Sequence, residues 1–132
     1  MIAQHPLFVQ FIVYFNENQD YFECHEVLEE LWKKNEPRNK NHWLVALILL
    51  STGLYHWRRG NFKGAEKTLA NAKQRLLLLR PLPDVPFSWN VLLKKLDHSL
   101  WSVRRGEDFR PFSLQLTSKH IHSSYENEKQ RM

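Results

Sequence analysis

The sequence predicts an all-α protein, a compact bundle of about five helices, and three features predict it. An apolar pattern occurs twice, as Tyr21, Cys24, Leu28, Leu31 and again as Phe62, Ala65, Leu69, Ala72. The polar residues that introduce the copies, Asp20 and Asn61, are 41 residues apart (61 − 20), room for one helix–turn–helix unit. The stretch Trp43 to Trp57 is apolar almost all round, as in a helix surrounded by neighbours. Four Gly and six Pro leave few interruptions. Two antiparallel helix hairpins and a C-terminal capping helix account for all three.

Each element has its own signal. Pro6 suits a first helical turn, and Phe8, Phe11, Ile12 and Phe15 recur at helical spacing. Asn16 to Gln19 forms the turn, and Asp20 with Glu23 matches a capping box opening the second helix. That helix runs to about Glu36, where Pro37 stops it. The third spans about Asn41 to Arg59, and Gly60 supplies the left-handed residue that ends it. The fourth covers about Phe62 to Leu79, followed by an extended linker rich in proline, Pro81 to Pro86. The fifth runs from about Ser88 to Arg105 and closes at Gly106. Residues 1–112 read as one domain and 113–132 as a polar tail, with Ser123 to Met132 disordered. His120-x-His122 in that tail is at most a weak metal ligand pair.

A chain of 132 residues is long enough to bury a core without covalent staples. Its one cysteine, Cys24, excludes an intramolecular disulfide and a cysteine-rich zinc site, and suits a reducing cytoplasm. No basic flank with an apolar core and cleavage site marks a secretory signal. The longest apolar run falls short of the ~18 residues of a membrane span. Charge is unevenly spread. Residues 1–37 hold seven Asp/Glu against two Lys, and residues 38–132 hold 17 Lys/Arg against seven Asp/Glu.

One polar constellation stands out. On a helical wheel Cys24, Val27, Leu28 and Leu31 form the core face of the second helix, with Glu23, Glu26, Glu30 and Lys33 opposite, toward water. His25, Glu29 and Trp32 fall on the boundary, and His25 and Glu29 lie one turn apart. This wheel sends Glu26 away from His25. Pairing of the hairpins brings His56 toward His25 and Glu29. Those three are the candidate catalytic residues and the candidate ligands for a divalent metal, although nothing in the sequence requires a cofactor. The first reading is structural: a histidine–glutamate pair at a helix interface fixes register, and His56 needs a partner in an apolar helix. Trp32, Trp43, Trp57, Trp89 and Trp101 read as core and interface fillers.

Gly53, His56, Gly60, Phe62, Ala65, Leu69 and Ala72 are spaced like the small and aromatic positions of tetratricopeptide hairpins, but the offset exceeds that repeat's ~34 residues. Two strings carry a closer resemblance. Tyr21-Phe22-Glu23-Cys24-His25-Glu26-Val27-Leu28-Glu29-Glu30-Leu31-Trp32 and Gly53-Leu54-Tyr55-His56-Trp57-Arg58-Arg59-Gly60-Asn61-Phe62-Lys63-Gly64-Ala65 together resemble a bacterial and archaeal family of small helical proteins, domain of unknown function 309. The resemblance covers roughly residues 5 to 80. It implies an all-α bundle with no assigned activity, and its recurring polar residues fall here on His25, Glu26, Glu29, His56 and Asn61. It also implies a glutamine where this chain has Leu49, which takes a polar group off that face.

Three functional classes compete. A non-catalytic interaction or regulatory module, binding a protein partner or a second copy of itself, fits the repeated hairpins, the charge asymmetry and the aromatic content. A small hydrolase or lyase would use His25, Glu29 and His56, with or without metal. Nucleic-acid association through Arg58, Arg59, Lys63, Arg104 and Arg105 ranks last, because these cations are scattered rather than gathered with aromatics on one face. The sequence favours the first.

Overall fold

In the computed structural model, residues 2–117 and 119–132 are described. Six α-helices follow in order: α1 (Pro6–Val13), α2 (Tyr21–Asn35), α3 (Trp43–Arg58), α4 (Phe62–Leu77), α5 (Trp89–Arg104) and α6 (Lys119–Arg131). Neighbours in the chain pack as neighbours in space, α1 on α2, α2 on α3, α3 on α4 and α4 on α5, while α6 returns to cover α1. Two antiparallel hairpins, α1–α2 and α3–α4, are therefore the frame, with α5 capping one edge.

Local chemistry sets the boundaries. The Glu23 amide donates to Asp20 Oδ1 at 3.1 Å, so Asp20 caps α2. Asn61 does the same for α4 through the Gly64 amide at 3.0 Å. The α1 and α3 caps are histidines: the amides of Leu7 and Leu44 donate to Nδ1 of His5 and His42, each at 3.1 Å. Gly60 follows the end of α3 with φ +80°, where a side chain is disfavoured. Beyond α1 the backbone widens into a π-helical turn, Tyr14–Asn18, and Gln19 closes it at φ 48°.

α3 is the central element, with Leu44, Ala46, Leu47, Leu50 and Leu54 fully buried. It is not a membrane span: among the described residues no helix is long and apolar enough to cross a bilayer. Aromatics from α1, the π-helical turn and α2 fill the opposite side, Phe8, Phe11, Phe15 and Tyr21 meeting in tilted and edge-on contacts 5.5–5.8 Å apart. The segment after α5 crosses back over this core. Phe109 packs edge-on to Trp57 and Tyr21, and Phe112 to Phe15. Asn16 then clamps Leu114 from both sides, donating to its carbonyl at 3.0 Å and accepting from its amide at 2.7 Å.

That return path corrects the expectation of a disordered tail. Residues 119–131 are helical because Ile121, Tyr125 and Glu128 recur at helical spacing and bury against α1. Tyr125 Oη donates to the Glu17 carboxylate, Lys129 Nζ lies 3.0 Å from Glu17, and Gln10 Nε2 donates to Glu128 at 3.3 Å. The side chain of His120 lies outside the described residues. Of the five tryptophans read as core and interface fillers, Trp57 and Trp89 are buried in the core and Trp32 and Trp43 pack against it, whereas Trp101 is mostly exposed.

Candidate functional site

α2 and α3 lie side by side, and the outer edge of their contact carries the polar constellation. One helical turn places His25 Nε2 3.2 Å from Glu29 Oε2. Its other ring nitrogen, Nδ1, lies 3.3 Å from Glu26 Oε1. The wheel sent Glu26 away from His25, and the structure corrects it: a long side chain one residue on bends back along the surface. His25 is thus held between two carboxylates. Glu29 in turn accepts from Lys33 Nζ at 2.7 Å. The Lys33 ammonium, and then His25, hold the Glu29 carboxyl below its usual range against the opposing effect of burial.

His56 faces the same space from α3. A cleft of about 190 Å³ is lined by Tyr21, Phe22, His25, Glu26, Thr52, Tyr55 and His56. The two histidines therefore share one cleft, as the hairpin pairing predicts. Glu29 does not line it, being turned toward Lys33. Among the described residues no three His, Cys, Asp or Glu side chains come together as a metal-holding group. His56 Nδ1 lies 3.4 Å from Asn61 Nδ2.

Two of the residues grouped with this site have other work. Asn61 is the N-cap of α4, and its side chain is positioned by that role. Trp32 lies further along α2, where its indole donates to the Asn39 carbonyl at 3.1 Å and ties down the α2–α3 loop. Cys24 is buried on the core face with Sγ 3.6 Å from the Phe11 carbonyl, and burial pushes its thiol well up, which keeps it unreactive.

A second cleft of about 500 Å³ continues from the first and shares Tyr21, Phe22 and Tyr55 with it. It adds Asn18 to Asp20, Arg58 and Arg59. Phe22 is 53% exposed at the join, its ring 6.2 Å from that of Tyr55. The Arg59 guanidinium stacks on the Tyr55 ring at 5.2 Å and donates to its hydroxyl at 2.9 Å. Arg58 donates to the Gln19 carbonyl and so ties the end of α3 to the turn before α2. Phe22 and Tyr55, which line both clefts, were not among the candidates read from the sequence. The available signal was an aromatic at position 22, on the same outward face of α2 as Glu26.

The scattered cations stay scattered. Arg58 and Arg59 are used within the groove, Arg104 lies 3.5 Å from Glu66, and Arg105 pairs with Glu107 at 3.1 Å while stacking on Trp101. Lys63 stands exposed on α4. Four of these five cations thus each make at least one contact within the protein itself.

Hairpins in this order, with a polar and aromatic groove along α2 and α3, define a small all-α protein of the two-hairpin kind. The family suggested by the two strings is the one found: residues 8–68 match the family described as "Domain of unknown function (DUF309)". That span contains the whole groove and stops within α4. A relative from Bacillus subtilis (strain 168), named "Uncharacterized protein YpuF", is 43% identical over 65 residues, which is 49% of this chain and 37% of the relative. The chain thus spans little more than a third of that relative's length. No solved structure matches the chain.

Proposed function

We propose that the protein is a non-catalytic, cytoplasmic interaction module that takes a short partner segment into the α2–α3 groove. The observation that carries this reading is Phe22, a large aromatic more than half exposed between two continuous clefts. Exposed aromatics beside arginine are the usual anchors of protein recognition. The groove's carboxylates are already engaged, Asp20 on the Glu23 amide and Glu26 on His25. Arg58 and Arg59 each use one of five donors on neighbouring groups and keep the rest. An apolar or aromatic segment with acidic flanks complements this surface.

The test is selection of peptides from a random display library against the whole chain. Apolar peptides with acidic flanks are expected, binding at least about ten-fold more weakly to Phe22→Ser. Equal binding to Phe22→Ser, or enrichment of sequences without those features, would reject the groove as the docking site.

A catalytic reading has one observation in its favour, the shared cleft of His25 and His56. It fits the geometry less well, because both ring nitrogens of His25 are met by carboxylates and Glu29 is turned to Lys33.

A further inference from the structure

A separate cleft lies between α5 and the segment that crosses back after it, and none of its lining residues belongs to the α2–α3 groove. Lys95, His98 and Ser102 recur on α5 at spacings of three and four, so one face of the helix looks into it. Arg110 closes it from the returning segment, and Phe112 and Trp57 supply apolar walls.

The charge on this cleft is of one sign. Its lining holds a lysine, an arginine and a histidine and no carboxylate. Of the carboxylates near it in sequence, Asp97 pairs with Lys73 at 2.6 Å and Glu107 with Arg105 at 3.1 Å, while Asp108 is exposed and does not line the cleft. Among the described residues no acidic group lies within ion-pair distance of Lys95 or Arg110, in contrast to the paired Arg104 and Arg105. Lys95 gives one of its three donors to the Ser113 carbonyl at 3.1 Å and keeps two. The Trp57 indole is committed to the Glu107 carbonyl at 2.8 Å, so the wall it forms is apolar.

Like charges gathered without a counter-ion repel one another, and an anion placed among them relieves that repulsion. A carboxylate is planar and is satisfied by one guanidinium fork. Donors arriving from two elements and three side chains suit an oxyanion with oxygens on several sides. The cleft holds about 220 Å³, below the roughly 300 Å³ at which drug-sized sites begin, so its occupant is small. We propose that this cleft, between Lys95 and His98 of α5 and Arg110 of the crossing segment, binds a phosphate group, either free or as a small phosphomonoester.

The probe is inorganic phosphate, titrated into the isotope-labelled whole chain at low ionic strength while backbone amide shifts are followed. Saturable shifts confined to α5 and to residues 110–113 are expected. Arg110→Gln should weaken them at least about ten-fold. His98→Ala provides a second variant at an exposed position. Lys94→Gln, which removes the same charge from the exposed side of α5, should leave affinity within about two-fold. Shifts that never saturate, or equal weakening by Lys94→Gln and Arg110→Gln, would overturn the site and leave only diffuse attraction to a basic protein. Repeating the titration with adenosine monophosphate separates the two sources. Tighter binding than phosphate supports a phosphomonoester resting on Trp57 and Phe112, and equal binding supports free phosphate.

Discussion

Gly53 of α3 meets Leu69 of α4 with no room for a methyl group between them. A Cβ at Gly53 would stand 2.5 Å from Leu69 Cδ2, 2.7 Å from its Cγ and 3.2 Å from its backbone nitrogen. Leu69 is fully buried, so it has nowhere to move. Gly53→Ala would gain about 1 kcal/mol of helix propensity and lose about 1–3 kcal/mol to overpacking. Because the clash reaches Cγ and the backbone, the cost lies toward the upper part of that range. A net destabilisation of about 1–2 kcal/mol is expected in urea unfolding, and Leu69→Ala in the same chain should remove the clash while leaving its own cavity cost. An unchanged or raised midpoint for Gly53→Ala alone would show that α3 and α4 are not packed this closely.

His42 gives the protein a stability that depends on pH near neutrality. Its Nδ1 must be unprotonated to accept from the Leu44 amide, and burial holds its pKa below the ordinary value near 6.5, against a smaller opposing pull from Glu36. The unfolded chain therefore takes up this proton first. The contribution is complete above about pH 6.5 and is lost as pH falls from there toward the folded value. His42→Asn keeps a good N-cap and removes the titration. Stability of the variant should match wild type within about 0.5 kcal/mol near pH 8 and fall less than wild type toward pH 5. Parallel profiles would remove His42 as the source.

How far the sequence revealed this molecule follows the range of each interaction. Asp20, Gly60 and the His25–Glu29 pair act within one turn of chain, so spacing alone finds them. The histidine caps were missed because His5 and His42 lack the short polar side chains usual at that position. α6 was missed for a different reason: its composition is polar on average, and the three residues that bury need the surface of α1, some 110 residues earlier in the chain, to do so. The groove depends on the rotation of α2 against α3. Sequence therefore located His25 and His56 on one side of the bundle but not the Phe22–Tyr55 contact between them. Asn61 and Trp32 look like site residues in a string and prove to be a cap and a loop tether.

α6 should open from α1 more often when its hydroxyl contact is removed. Tyr125 is buried and donates to Glu17, and this bond, followed by the Lys129 contact, holds the Glu17 carboxyl below its usual range. A depressed folded value means that this stabilisation is present above the ordinary carboxylate pKa and fades as pH falls through the folded one. Hydrogen bonds to charged acceptors contribute about 1.5–3 kcal/mol when buried, but Glu17 is partly exposed, so Tyr125→Phe should cost about 1 kcal/mol. Hydrogen exchange of the α6 amides should quicken about five-fold, with α3 amides unchanged. Equal quickening in both helices would mean that α6 opens only with the whole domain.

His25→Ala separates a histidine that fixes structure from one that serves the groove. The partly exposed i,i+4 pair with Glu29 contributes only a few tenths of a kcal/mol, and the side chain is not part of the core. Removing it should lower unfolding stability by less than about 0.5 kcal/mol, since Glu29 keeps its contact with Lys33. Peptides selected against the wild-type groove should nonetheless bind the variant more weakly, because His25 and Glu26 line the narrower cleft beside Phe22. A loss of several kcal/mol in stability would instead assign His25 to the packing of α2 on α3. The groove would then have to rest on Phe22, Tyr55 and the two arginines alone.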